Sequence, residues 1–409
     1  MSPRKRILIV LLGLAVFYSP PLQSQQANRP AARDQAAESA ASRASNSRAD
    51  FAGDKTCMEC HQEEAELFER TGHHLTSQLA DKDSILGNFT KDSNVVRTSN
   101  PLLFYQMTSD HQGYFQTAVM GIPPDTTSRT EQFAIVIGSG KRGQTYLYWK
   151  GAQLFELPVS YWTDLHAWVN SPGYPDGMAR FDRPIIPRCL ECHASYFESL
   201  PGHSELNNSY YEKANFVLGI SCETCHGPGR KHVNLERSNG GEASANSIVN
   251  PSKLPRDRQV DLCALCHGGA GAELLEPSFT YSPGKPLSAH IRLQNSGPDA
   301  LIDVHGNQVG LLEKSQCFQS SKSMTCSTCH AVHAPEKPDA AYSSRCLTCH
   351  TVQSCGEFRE RGNEIAAGCI SCHMPAQDSN VLFSTTDGRK ARVTMHNHWI
   401  KVYPPPQKP

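Results

Sequence analysis

Apolar positions along this 409-residue chain fall into four unlike stretches. The first runs from Ile7 to Phe17, follows Arg4, Lys5 and Arg6, and is broken by Tyr18-Ser-Pro-Pro21. It is too short for a permanent bilayer helix, which needs about 20 apolar residues. It suits the core of a secretory signal peptide, here residues 1–24. The second stretch, 25–50, holds no Leu, Ile, Val or aromatic residue and so has nothing to bury; it predicts a disordered linker. From 61 to 82, Ala65, Phe68 and Leu75 stand among charged residues and predict a helix. From about 103 to 158, aromatic and β-branched runs (Gly113–Val119, Gln132–Ile137, Gln144–Trp149, Gln153–Leu157) alternate with turn signals at Gly138–Gly143 and Lys150–Ala152. That pattern predicts a small antiparallel β insert. Beyond it no period holds, so short helices and irregular chain are expected up to residue 403, then an unstructured Pro-rich tail at 404–409.

Composition sharpens the picture. Hydrophobic residues make up 38% of the chain, on the low side for an ordinary globular protein. The cysteines show what makes up the difference. Fourteen of the 16 fall in seven copies of Cys-x-x-Cys-His, with first cysteines at 57, 189, 222, 263, 326, 346 and 369. This is the attachment sequence of c-type haem. The pairs Cys57/Cys60, Cys189/Cys192, Cys222/Cys225, Cys263/Cys266, Cys326/Cys329, Cys346/Cys349 and Cys369/Cys372 would bond the porphyrin. His61, His193, His226, His267, His330, His350 and His373 would bind iron from the proximal side. Zinc is the competing use of paired cysteines, but 14 thiols do not divide into fours, and zinc leaves the seven histidines without a role. Haem supplies the missing apolar interior. The expected fold is a multihaem cytochrome c domain over 51–403, with short α-helices and irregular chain around stacked haems and the haem-dense part at 189–375.

The leader and the haem chemistry give one address, the periplasm or the extracellular space. No other stretch is apolar enough to span a membrane. A formal net charge of −1 gives no basis for binding nucleic acid. Cys317 and Cys355 remain outside the motifs, and two leftover thiols in an oxidising compartment predict a disulfide. Arg188, Arg230, Lys231 and Arg345, beside the motifs, are candidates for pairing with haem propionates.

Several strings extend beyond the motifs: Thr71-Gly-His73, Ile137-Gly-Ser-Gly140, Leu154-Phe-Glu-Leu-Pro158, Ser171-Pro-Gly-Tyr174, Cys222-Glu-Thr-Cys-His-Gly-Pro-Gly229 with His232, Cys326-Ser-Thr-Cys-His-Ala-Val-His333 and Cys369-Ile-Ser-Cys-His-Met-Pro375. With them the chain resembles multihaem cytochromes of the cytochrome c-552/c-554 type. The resemblance implies electron carriage through haems mostly ligated by two histidines. It marks His73, and through the quoted motifs His232 and His333, as distal ligands. His398, in His398-Trp-Ile near the C-terminus, is a further candidate, as are His203, His290 and His305. His73 follows the first motif and is expected over the first haem. His74, His111, His166 and His396 read as surface or hydrogen-bonding residues.

Two functional classes stay open. One is an electron-transfer protein working with redox partner proteins. The other is a multihaem enzyme of nitrogen-oxide chemistry, reducing nitrite or oxidising hydroxylamine at one open haem. Cys-x-x-Cys-Lys does not occur, which removes the lysine-ligated nitrite reductase pattern. Assembly into homo-oligomers or haem filaments is a third possibility.

Overall fold

A computed structural model describes residues 48–201, 209–239, 247–269, 271–293 and 302–404. The leader, nearly all of the linker, His203 and most of the tail lie outside the described residues.

The β insert is larger than the sequence pattern implied. Strand β1 (Ser77–Leu79) precedes a four-stranded antiparallel sheet made of β2 (Val95–Arg97), β3 (Leu103–Asp110), β4 (Gly113–Ile122) and β5 (Asp125–Gln132), in chain order. A second sheet takes β1 at one edge, then β6 (Ile135–Ile137), β7 (Gly143–Lys150), β9 (Val159–Trp162) and β10 (Ala167–Asn170), with β8 (Gln153–Glu156) also paired to β7. Strand β3 alternates as a half-buried strand should: Leu103, Tyr105 and Met107 point inward while Phe104 and Gln106 are half-exposed. The edge strand β5, paired to β4, reads Asp-Thr-Thr-Ser-Arg-Thr-Glu-Gln, nearly all exposed, and so carried no apolar signal. Strand β9 is buried at all four positions and carried no alternation. Together the strands run from 77 to 170 rather than from 103 to 158.

The two sheets share a core in which aromatic rings pack edge to face and stacked. Phe133 and Tyr146 stack at 4.4 Å, and Trp168 meets the rings of Phe89, Phe133, Tyr146 and Tyr161. Gln116 of β4 pins the sheets by a reciprocal pair: its Nε2 donates to the Val159 carbonyl at 3.1 Å, and its Oε1 accepts from the Val159 amide at 3.0 Å.

The helix expected over 61–82 ends early. It spans Gln62–Phe68, because the buried Thr71 hydroxyl donates to the Phe68 carbonyl at 2.7 Å and accepts from the His74 amide at 3.2 Å. That turn redirects the chain into a 3₁₀ turn at His74–Thr76 and then β1. Downstream, short helices occur as expected, but three hairpins accompany them: β11 (Ala194–Ser199) with β12 (Tyr211–Leu218), β13 (Ala272–Leu274) with β14 (Ile291–Leu293), and β15 (Ala376–Thr386) with β16 (Arg389–His396). Strand therefore reaches 29% of the described residues, more than the irregular chain foreseen. The last hairpin docks on β10, where the Asn170 side chain donates to the Thr385 carbonyl at 2.8 Å and Val393 packs on Trp162 and Val169.

One glycine fixes the Thr71–His73 turn. Gly219 has φ +66°, and a Cβ there would lie 2.1 Å from the His74 carbonyl oxygen. The next amide, Ile220, donates to the His73 carbonyl at 3.0 Å. Gly151, at φ +60° in the β7–β8 turn, has no atom within 4 Å of the same position. Alanine at either costs about 1–3 kcal/mol for the left-handed backbone; only Gly219→Ala adds a backbone clash. Thermal unfolding of the two variants should therefore give a lower midpoint for Gly219→Ala than for Gly151→Ala.

Candidate functional site

Each Cys-x-x-Cys-His segment folds as a single helical turn, often at the end of a short helix. The His61, His330 and His350 amides donate back to the first cysteine of their motifs at 2.9, 2.9 and 3.0 Å. On such a turn, residues i, i+3 and i+4 share one face. Both thiols and the imidazole therefore project to the same side. Helices Pro187–Glu191, Cys222–His226, Arg256–His267, Asp339–Cys346 and Cys369–His373 each carry part or all of a motif.

All seven turns face one space. A chamber of about 3750 Å³ is lined by every motif cysteine and every motif histidine, several times the roughly 300–1,000 Å³ of an ordinary ligand site. The motifs also touch one another. Side-chain contacts join Cys57 to Cys222, Cys192 to Cys266, Cys263 to Cys326 and Cys346 to Cys369. Cys225 lies within electrostatic reach of Cys263, and Cys329 of Cys349. Through these neighbours the motifs connect as 1–3–4–5–6–7, with the second motif branching from the fourth. The first and third are further stitched by carboxylates. Buried Glu223 accepts from the Ala52, Gly53 and Gly229 amides at 2.7–2.9 Å, and Asp54 accepts from the Cys222 amide at 3.0 Å.

Histidine rings face each other in pairs. Ring centres of His61 and His232 lie 6.5 Å apart, His226 and His333 6.0 Å, His73 and His267 6.1 Å, and His330 and His398 6.2 Å. Two metal–imidazole bonds of about 2 Å, plus roughly 1 Å from each nitrogen to its ring centre, give about 6 Å. The spacing thus leaves room for one iron between each pair. His305 lies within electrostatic reach of His193. Burial, with the neighbouring imidazoles of His305 and His267, pushes the His193 pKa down to about 4, and burial does the same to His398. Both rings are therefore neutral, as iron ligands must be. The Nδ1 atoms of His193, His226, His232, His373 and His398 lie 2.9–3.2 Å from backbone or hydroxyl oxygens, leaving each Nε2 for a metal. Among the described residues no three His, Cys, Asp or Glu converge as a metal site of the zinc kind. The donor set fits covalent haem.

Other expectations need correction. His73 faces His267 of the fourth motif, while His61 of the first faces His232; the turn after Phe68 carries His73 away from the motif it follows. His290 is buried against Glu191, with its Nε2 3.0 Å from the carboxylate, so that nitrogen is engaged by a carboxylate rather than free for iron. Cys317 and Cys355 are both free. Cys317 sits on the helix Gln316–Ser320 within reach of Cys329, whereas Cys355 ends the turn Val352–Ser354. Arg188 pairs with Glu191 and Arg230 with the Ala49 and Phe51 carbonyls. His396 was read as a surface or hydrogen-bonding residue; it is hydrogen-bonded to the Met374 carbonyl and Asp339, yet it also lines the chamber. Among the described residues, no second imidazole ring stacks on His350 or His373.

Comparison with known proteins points to the same class of protein. The family model described as Cytochrome c554 and c-prime matches residues 176–227, which include the second and third motifs. A C-type polyheme cytochrome of Geobacter sulfurreducens, OmcC, is 27% identical over 148 residues, which cover 35% of this chain and 14% of OmcC. The crystal structure of the outer cell wall cytochrome OcwA superposes with a TM-score of 0.52 at 16% identity, covering 86% of this chain and 80% of that one. The chain is a multihaem c-type cytochrome. In the cytochrome, the ring pairs make one assignment directly testable. His73→Ala should leave the haem of Cys263 and Cys266 covalently attached but convert it to high spin. Ferric EPR reads the change; a spectrum identical to that of the unaltered protein would refute the assignment.

Proposed function

We propose that this cytochrome is an exported electron carrier holding seven covalently bound c-type haems, most of them ligated by two imidazoles. One observation supports the reading above the others: all seven attachment turns line one chamber, and each lies beside at least one other. Bound haem supplies the one-electron couple. The chain's own residues set the conditions for transfer between neighbours. Facing imidazoles such as His226 and His333 would hold an iron between them, which favours electron exchange over substrate binding. Burial excludes water and tunes the potential. His305, opposite His193, is the fifth distal ligand in this reading.

The likeness to OmcC and to OcwA, whose name places it at the outer cell wall, fits a carrier that passes electrons to redox partners outside the cytoplasm. Residues 1–24 serve as the export signal in this reading. Among the described residues no helix is long and apolar enough to cross a membrane.

Purified mature protein should carry the added mass of seven haems, with the leader removed. Its ferric EPR should be dominated by low-spin iron and unaltered by nitrite or cyanide. A mass equal to the bare polypeptide, or to bound zinc, would refute the proposal. A high-spin signal responding to either ligand would favour the enzyme instead, with the open iron at the sixth or seventh motif.

A further inference from the structure

The second and fourth motifs meet over a buried cluster of charge. Glu191 is one of the two residues between Cys189 and Cys192, and Arg188 immediately precedes that motif. Arg188, Glu191 and His290 are respectively 8%, 3% and 4% exposed. One carboxylate oxygen of Glu191 accepts from Arg188 Nη1 at 2.8 Å. The other accepts from the Phe279 amide at 2.8 Å and faces His290 Nε2 at 3.0 Å. Arg188 then crosses to the fourth motif, where its Nη2 donates to the Leu265 carbonyl at 2.6 Å, between Cys263 and Cys266. The Cys266 thiol lies 3.8 Å from the Glu191 carbonyl oxygen. A single carboxylate therefore joins two attachment turns through a guanidinium.

We propose that Arg188 and Glu191 are positioning residues that set the reduction potentials of the haems attached at the second and fourth motifs. The proposal rests on the haem-carrying reading above. Ferric haem carries one more positive charge than ferrous haem. A fixed carboxylate beside it stabilises the oxidised form and lowers the potential, and a fixed guanidinium does the opposite. Burial strengthens both effects, because Coulomb coupling grows as the effective dielectric falls. Stability alone is a poor account of the pair, since buried ion pairs are often matched or exceeded by apolar replacements. The remaining neighbours, the Thr280 hydroxyl at 3.5 Å from His290 Nδ1 and the Tyr281 ring, carry no fixed charge.

Spectropotentiometric titration of the holoproteins tests the proposal. Glu191→Gln should shift a subset of the haem midpoints upward, and Arg188→Gln should shift a subset downward, with the haem mass of both variants unchanged. A purely structural pin would move both variants the same way, or neither, and either result overturns the proposal. If Arg188→Gln loses haem, Glu191→Gln decides alone, an unchanged or lowered midpoint counting against the proposal. If both lose haem, the cluster serves folding and the proposal falls. A low haem count in the unaltered protein would instead count against the seven-haem reading.

Discussion

The polypeptide does not fill its own centre, and the rest of the structure follows from that constraint. The wall of the chamber of about 3750 Å³ is mostly apolar, and apolar surface of that extent is stable in water only against an apolar partner. The motif turns line its wall, and their thiols and imidazoles aim at a group the chain must receive. The low hydrophobic content, 38%, is the same fact seen in composition. Where a self-sufficient chain places Leu and Phe, this one places attachment points.

The dependence is unequal along the chain. The β insert has a continuous core of its own, from Ile85 through Tyr105, Tyr146 and Trp168 to Phe181, with a second cluster around Leu147, Leu190 and Phe197. Past residue 311 the buried apolar side chains thin out to scattered positions such as Phe318, Ile365 and Ile370. The insert thus acts as a rigid frame. It supports the Thr71–His73 turn through β1, whose Ser77 hydroxyl donates to the His193 carbonyl and accepts from the Gly219 amide at 2.9 Å. It also extends Lys141 and Arg142 to the chamber wall from the turn before β7. The C-terminal hairpin then leans on β10, bringing His398 back over His330.

What the sequence made legible divides along a physical line. Local chemistry could be read directly, because Cys-x-x-Cys-His encodes its geometry within one helical turn. The aromatic and β-branched runs of β4, β6, β7 and β8 could be read in the same local way. Strands β5 and β9 could not: one is polar on both faces and the other buried on both, so neither alternates. Pairings across the chamber were also invisible. His73 lies twelve residues past His61 and yet faces His267, because Thr71 and Gly219 turn the chain. His290 has the composition of a ligand, yet its Nε2 faces a carboxylate. Only the position of Glu191, three residues from Arg188 and 99 from His290, separates the two roles.

The same carboxylates explain how separate motifs act as one unit. Glu223 gathers three amides and ties the third motif to the chain leading into the first. Glu191 does so between the second and fourth, but with a cation as intermediary. A carboxylate satisfied by neutral amides leaves a net negative charge at the junction, whereas one paired with Arg188 leaves nearly none. Two junctions alike in geometry thus differ in field. In a low-dielectric interior such a difference acts on any neighbouring change of charge. The residues that hold the attachment turns together also make the sites unequal, and unequal sites give a series of electron carriers a direction.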